Sequence, residues 1–202
     1  MLSAVIFDVA NVLVDWEPSR PLRGVLPDAD VDAFVGSRAF WDLNAEADAG
    51  LPLAELRARV AADLPALLPA VDTYLARFPL SVAGPIPGSA EVVDALLDAG
   101  VPVYGLSNWS SENFHVARAA NPAIDRLAGV VVSGDVGLAK PDEAIFRLTL
   151  DRFGLDAAST VMIDDTPLNL DAAARVGLAT LHFTGADRLR TDLLSLGLLP
   201  PQ

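Results

Sequence analysis

The stretch AVIFDVANVLVDW, Ala4 to Trp16, drives an apolar run, Ala4 to Phe7, straight into a carboxylate at Asp8 before apolar residues resume at Val12 and Leu13. A short apolar, β-branched run that stops this abruptly reads as a buried strand whose end faces something other than the core. Four more segments read as strands of the same kind, around Val101–Leu106, Val130–Val132, Val161–Ile163 and Ala179–Phe183. Helical patterns with recognisable ends lie between them. Gly88-Ser89 opens one whose Val92, Val93, Leu96 and Leu97 share a face, and Gly100 closes it. Pro141 opens a second that runs to Gly154, and Pro167 to Arg175, closed by Gly177, forms a third. Strands alternating with helices predict an α/β domain on a doubly wound parallel sheet.

From Pro18 to Ser81 that rhythm breaks. The segment has no strand pattern and carries Ala, Leu, Asp and Arg at helical spacing, as in LAELRARVAADL, residues 53–64. PLSVAGPIP, residues 79–87, then reads as a linker back to the main domain. Residues 1–17 and 82–202 are thus expected to form the α/β core, with residues 18–81 a helical insert after the first strand. Two crossing linkers, near Asp15–Trp16 and Val82–Pro87, predict that the insert shifts relative to the core.

The 202-residue chain is 52% hydrophobic and 20% charged, a globular composition. Its net charge of −13, from 27 acids against 14 bases, argues against nucleic acid as a partner. No apolar run reaches the ~18 residues of a membrane span, and no motif bears on oligomeric state. With no cysteine there is no disulfide, thiol nucleophile or thiolate metal site, and a cytoplasmic location is the expectation. An anionic substrate would need local positive charge, for which Lys140, the one lysine, is the conspicuous candidate.

Four polar signals fall at the carboxyl ends of the predicted strands, where an open parallel sheet forms its ligand crevice. Asp8 ends the first, Ser107-Asn108 the second and Asp164-Asp165 the fourth, while Lys140 lies in the loop after the third. Singly, each has an ordinary reading as a helix cap, turn former or solvated residue. Together they set carboxylates, a hydroxyl-amide pair and an amine on one edge of one sheet.

Across essentially the whole chain this pattern resembles the haloacid dehalogenase superfamily. VIFDVANVLVDW is similar to its first motif, YGLSNWS to the second, GLAKPDEAIF to the third and MIDDTPLNLDAA to the fourth. The resemblance implies Asp8 as nucleophile, Ser107 and Asn108 as contacts to the transferred group, and Lys140 as the fixed cation. It places Asp164 and Asp165 at a metal, with Asn169 supporting them and the backbone carbonyl of Ala10 as a further ligand. The insert sits where the family's small helical cap sits, and the nearest likeness is to bacterial sugar-phosphate phosphatases of the glucose-1-phosphate type. The implied activity is Mg²⁺-dependent hydrolysis of a small phosphorylated metabolite through an aspartyl-phosphate. The second acid of the pair, Asp165, is expected to be the more direct metal ligand.

The chemistry asks for these residue types. A carboxylate that attacks a phosphate ester splits one hard displacement into two, and the anion-anion approach must be neutralised by Mg²⁺ on one side and Lys140 on the other. Two alternatives remain: a non-catalytic phosphate-binding module, and a metal-free 2-haloacid dehalogenase, against which the Asp164-Asp165 pair speaks. Two-component receiver domains share the Asp, metal and Lys set but are shorter, with an early acidic pair and no helical insert.

Ala10 departs from the family, in which a second Asp two residues after the nucleophile protonates the leaving group. An acid-base group of that kind contributes ~10²–10⁴ in rate. Either a cap carboxylate stands in, with Asp42, Glu46 and Asp48 the first to consider, or the substrate has a good leaving group, or the chain has lost turnover. Elsewhere, His115 and His182 lack partners at metal spacing and are read as packing or surface residues. Trp109 is placed at the pocket or in packing, Trp16 at the hinge, and Phe40 and Trp41 in the core of the insert.

Overall fold

The computed structural model describes residues 1–200. Strand β1 (Ala4–Phe7) leads to a short strand β2 (Val14–Trp16), four helices α1 (Asp28–Val35), α2 (Arg38–Asp48), α3 (Leu53–Asp63) and α4 (Leu68–Ala76), and a second short strand β3 (Val82–Pro85). Next come α5 (Ser89–Asp98), β4 (Val103–Ser107), α6 (Phe114–Ala120), β5 (Gly129–Val132), α7 (Ser133–Val136) and α8 (Glu143–Phe153). β6 (Thr160–Asp164), α9 (Pro167–Arg175), β7 (Ala179–His182) and α10 (Ala186–Ser195) follow.

Five strands form one parallel sheet in the order β5-β4-β1-β6-β7. β1 is central and pairs Val5 with both Val103 and Val161. Side chains alternate across the sheet, so Val5 and Phe7 pack on one face with Val93, Leu96, Leu189 and Leu193. Ile6 points the other way, into a second cluster with Met162, Ile145, Phe146 and Leu170. Both faces are covered, which is why these strands are apolar throughout and why their carboxyl ends are where polar side chains emerge.

Two expectations are corrected in detail. The helix expected from Pro141 starts at Glu143, because the Asp142 side chain caps it by accepting from the Ala144 N–H at 2.9 Å. The linkers around Asp15–Trp16 and Val82–Pro87 are not loose chain, since β2 and β3 pair as an antiparallel ribbon, Val14 with Pro85 and Trp16 with Val82. Arg20 reinforces the ribbon, donating to both Asp15 carboxylate oxygens at 2.8 and 2.7 Å and to the Ser81 carbonyl at 3.1 Å. Helices α1 to α4 lie between the two ribbon strands and bury Phe34, Phe40, Leu56, Val60, Val71 and Tyr74. They also touch the core directly. Gly50, at φ +98°, lies so close to the Gly134 carbonyl that a Cβ would meet it at 2.9 Å. The Leu53 N–H donates to Glu112 Oε1 at 2.8 Å. No described helix is long and apolar enough to cross a membrane.

Candidate active site

Asp8 lies one residue beyond β1, and a tight turn forms immediately after it. The N–H groups of Leu13 and Val14 both donate to the Val9 carbonyl, at 2.9 and 3.0 Å. Asn11 takes φ 57°, a left-handed conformation that Asn tolerates better than most residues, and its side-chain oxygen accepts from the Trp16 N–H at 3.1 Å. This turn presents Asp8, Ala10 and Asn11 to one cavity of about 440 Å³.

Lys140 is the electrostatic centre of that cavity. Its ammonium lies 2.8 Å from Asp8 Oδ1 and 2.7 Å from Asp164 Oδ2, with a side chain only 1% exposed. Burial acts to lower the lysine pKa, but Asp8 and Asp164 outweigh it and hold the group above its ordinary value, so it is a fixed cation. Asn108 braces the lysine main chain from both sides, accepting from its N–H and donating to its carbonyl, each at 2.8 Å. One Nδ2 hydrogen of Asn108 has no acceptor among the described residues.

The three carboxylates of Asp8, Asp164 and Asp165 each offer an oxygen within 4.8 Å of the others. Asp164, fully buried, is already held by Lys140, by the Thr166 N–H at 2.8 Å and by Asn169 Nδ2 at 3.0 Å. Asp165 is half-buried, lines the cavity, and accepts a 3.4 Å bond from the Thr166 hydroxyl. Both contacts of Asp8 among the described residues, from Lys140 at 2.8 Å and from the Val9 N–H at 2.6 Å, fall on Oδ1 and not on Oδ2. Burial pushes the Asp8 carboxyl up to about 7, opposed by Lys140, and burial also raises Asp165. Three carboxylates share one lysine here, a charge balance that calls for a cation, and an all-oxygen donor set suits Mg²⁺. Ser107, fully buried at the end of β4, has a hydroxyl with no partner among the described residues, although the cavity wall includes Asn108 and not Ser107.

Asp8, Lys140, Asp164 and Asp165 therefore come together, with Ala10, Asn108 and Asn169 on the same cavity. Of the three cap acids, Asp48 alone lines it. Burial pushes the Asp48 carboxyl up to about 7, against the pull of the Ser110 main chain, the Asn44 side chain and the Lys140 charge. Asn44 Nδ2 donates to it at 2.9 Å, and the Ser133 hydroxyl donates to its main-chain carbonyl. Tyr74 also faces it, and burial together with that carboxylate pushes the phenol upward. Trp41, expected in the insert's core, is 47% exposed and lines the cavity, and Phe40, which is buried, lines it too. His182 is exposed, and its Nε2 lies 3.0 Å from the Asp165 carbonyl, a brace for the acidic pair that spacing alone does not reveal.

A family profile described as haloacid dehalogenase-like hydrolase matches residues 2–177. A probable phosphatase, IndB of Dickeya dadantii, is 31% identical over 199 residues, 91% of this chain and 82% of that protein. A sesquiterpene phosphatase, AstK of Aspergillus oryzae, is 34% identical over 85 residues, 42% of this chain and 43% of that protein, so the match spans less than half its length. Among solved structures, a HAD family enzyme of Bacteroides thetaiotaomicron superposes with a TM-score of 0.74 at 18% identity, covering 91% of this chain and 94% of that one.

Proposed function

This chain belongs to the haloacid dehalogenase-like hydrolases, and on that premise we propose that it is a Mg²⁺-dependent phosphatase of a small phosphate monoester. The observation that carries the reading is the cluster of Asp8, Asp164 and Asp165 around the Lys140 ammonium at the carboxyl edge of the sheet. Asp8, Asp165 and the Ala10 carbonyl would hold Mg²⁺, with Asp164 behind them, and the ion supplies charge neutralisation at the phosphoryl oxygens.

The chain's own residues supply the rest. Asp8 Oδ2 forms a bond to phosphorus as the ester P–O bond breaks, leaving an aspartyl-phosphate. Lys140 holds Asp8 Oδ1 and stabilises charge that builds on the phosphoryl group. Asn108 fixes the lysine and offers its spare hydrogen, and the Ser107 hydroxyl lies beside it behind the cavity wall, at the end of the neighbouring strand. Asp48 takes the place of the acid absent at Ala10. Its carboxyl proton goes to the leaving alkoxide, and the resulting carboxylate then receives a proton from the water that attacks phosphorus, which frees Asp8 and inorganic phosphate.

Turnover of p-nitrophenyl phosphate with Mg²⁺ and with EDTA, beside chloride release from chloroacetate, tests the reading. Metal-dependent phosphate release supports it. Phosphate binding without turnover points to the non-catalytic module, and metal-free chloride release to the dehalogenase.

A further inference from the structure

The two walls of the cavity differ in chemistry. The core wall carries the polar groups of the phosphate end and, at Trp16 and Trp109, two rings at its margin. The cap wall is aromatic and aliphatic. Trp16 meets Trp41 edge-to-face at 6.0 Å, Trp41 meets Phe40 at 5.2 Å, Phe40 meets Tyr74 at 5.5 Å, and Tyr74 meets Phe78 at 5.7 Å. Phe78 continues the row to Trp109 at 6.1 Å. All six rings line the cavity, and they include all three tryptophans of the chain. Leu43, Leu53, Leu56 and Val71 fill the spaces between them.

Polar groups on the cap side are few. Asn44 and Asp48 are hydrogen-bonded to each other. Tyr74 Oη and Trp109 Nε1 are buried without hydrogen-bond partners among the described residues. A hexose or other polyol would find only these few polar groups on this wall and leave most of its ring hydroxyls unpaired, at a cost the few bonds do not offset. A hydrocarbon would lose nothing there and gain the burial. The cavity volume, about 440 Å³, falls in the ordinary range of small-molecule sites.

We propose that the alcohol portion of the substrate is a hydrocarbon, so that the enzyme's natural target is a phosphate monoester of an apolar alcohol and not a sugar phosphate. The inference rests on the phosphatase reading above, and replaces the sugar-phosphate expectation drawn from resemblance.

The test compares n-octyl phosphate and 2-phenylethyl phosphate with glucose 6-phosphate, all primary alkyl esters with similar leaving groups. The expected kcat/KM for the two apolar esters is at least ~10²-fold above that for the sugar ester. Binding is read separately by tryptophan fluorescence of the Asp8→Asn variant with Mg²⁺, which cannot turn over under the proposed mechanism. Octyl phosphate should bind there more tightly than glucose 6-phosphate. If it does so while the wild type hydrolyses neither, the phosphatase reading fails and the apolar site stands. If glucose 6-phosphate is hydrolysed as well as octyl phosphate, or bound as tightly, the apolar site is overturned and the phosphatase reading is untouched. Trp41→Ala, which truncates a half-exposed ring and should fold, is expected to lower the ratio of octyl to glucose kcat/KM about tenfold. An unchanged ratio also counts against the proposal.

Discussion

The carboxyl edge of the core and the inner face of the cap line one cavity and are built on opposite principles. On the core side almost every polar atom is fixed by another: Lys140 by two carboxylates and an asparagine, Asp164 by Lys140, Thr166 and Asn169. Such a network is directional, and a shift of one member leaves a buried charge unpaired. On the cap side the contacts are edge-to-face rings and aliphatic packing, which tolerate small displacements. Reaction chemistry needs the first kind of wall. Selection of an apolar alcohol, as proposed, needs only the second. Asp48 is the exception, a titratable group carried by the cap into the space the core controls.

The sharpest break between the two walls comes from the nucleophile. Asp8→Asn should lower phosphatase turnover by at least about 10³-fold, with near-native circular dichroism and intact octyl phosphate binding. Retention of more than a few per cent activity would end the covalent mechanism. Lys140→Met acts on stability as well. It leaves Asp8 and Asp164 facing each other without a cation, which should cost about 3–5 kcal/mol in denaturant melts without metal. Mg²⁺ should recover part of that loss, and identical melts with and without the ion would argue against a metal among these carboxylates.

Asp48 is the next largest test, and it separates walls by leaving group. Asp48→Asn should lower kcat for octyl phosphate by about 10²–10³-fold and that for p-nitrophenyl phosphate far less, because a nitrophenolate departs without a proton. The acid works only when protonated. In the wild type, alkyl ester turnover should therefore fall as pH rises through about 7, the value to which burial pushes this carboxyl. The variant should lack that limb. Stability follows the same sign: the folded carboxyl keeps a proton that the unfolded chain releases near 3.8, so its contribution is present at low pH and is lost as pH rises toward about 7. A flat leaving-group series in the wild type, unchanged in the variant, would show that the proton comes from elsewhere.

The difference between the walls also governs how much could be read from residues alone. The five core strands, the α/β class and the polar residues at their ends are legible because an apolar run that stops at a charge carries both facts at once. The ribbon of β2 and β3 is not, since strands of three and four residues containing Gly84 and Pro85 read as a linker. The cap helices announce themselves by spacing, but spacing gives the phase of a helix and not the wall it meets. Trp41 and Phe40 are adjacent in sequence and both line the cavity, yet one is half-exposed and the other buried. Asp48 could be put among three acids from its segment, and tertiary docking alone distinguishes it from Asp42 and Glu46.

Within the core wall, the two adjacent acids offer a finer comparison. Asp165→Ala should raise the Mg²⁺ concentration for half-maximal activity about tenfold or more, since Asp165 has the freer oxygens. Asp164→Ala should chiefly lower stability, because Lys140, Asn169 and the Thr166 N–H all lose their acceptor. Equal shifts in metal requirement would mean that the inner and outer positions are assigned wrongly.

The smallest effect is expected where the walls are tied together. Ser133, at the start of α7, donates through its hydroxyl to the Asp48 carbonyl and accepts from the Trp109 N–H at 2.9 Å. One side chain thus fixes a cap residue proposed to carry the proton and a core residue that ends the aromatic row. Ser133→Ala removes both bonds and leaves a buried main-chain donor unpaired, a loss of about 1–3 kcal/mol. Alkyl ester turnover should drop only a few-fold, because the ribbon and the apolar packing still place Asp48 roughly where it was. Hydrogen exchange should rise in residues 44–53, where α2 meets the core, and stay unchanged in β1 and β6. That pattern would identify the Ser133 contact as the catch that holds a cap able to shift on its ribbon. Unchanged exchange in residues 44–53 would show instead that packing alone fixes the cap, and the predicted movement between cap and core would have to be abandoned.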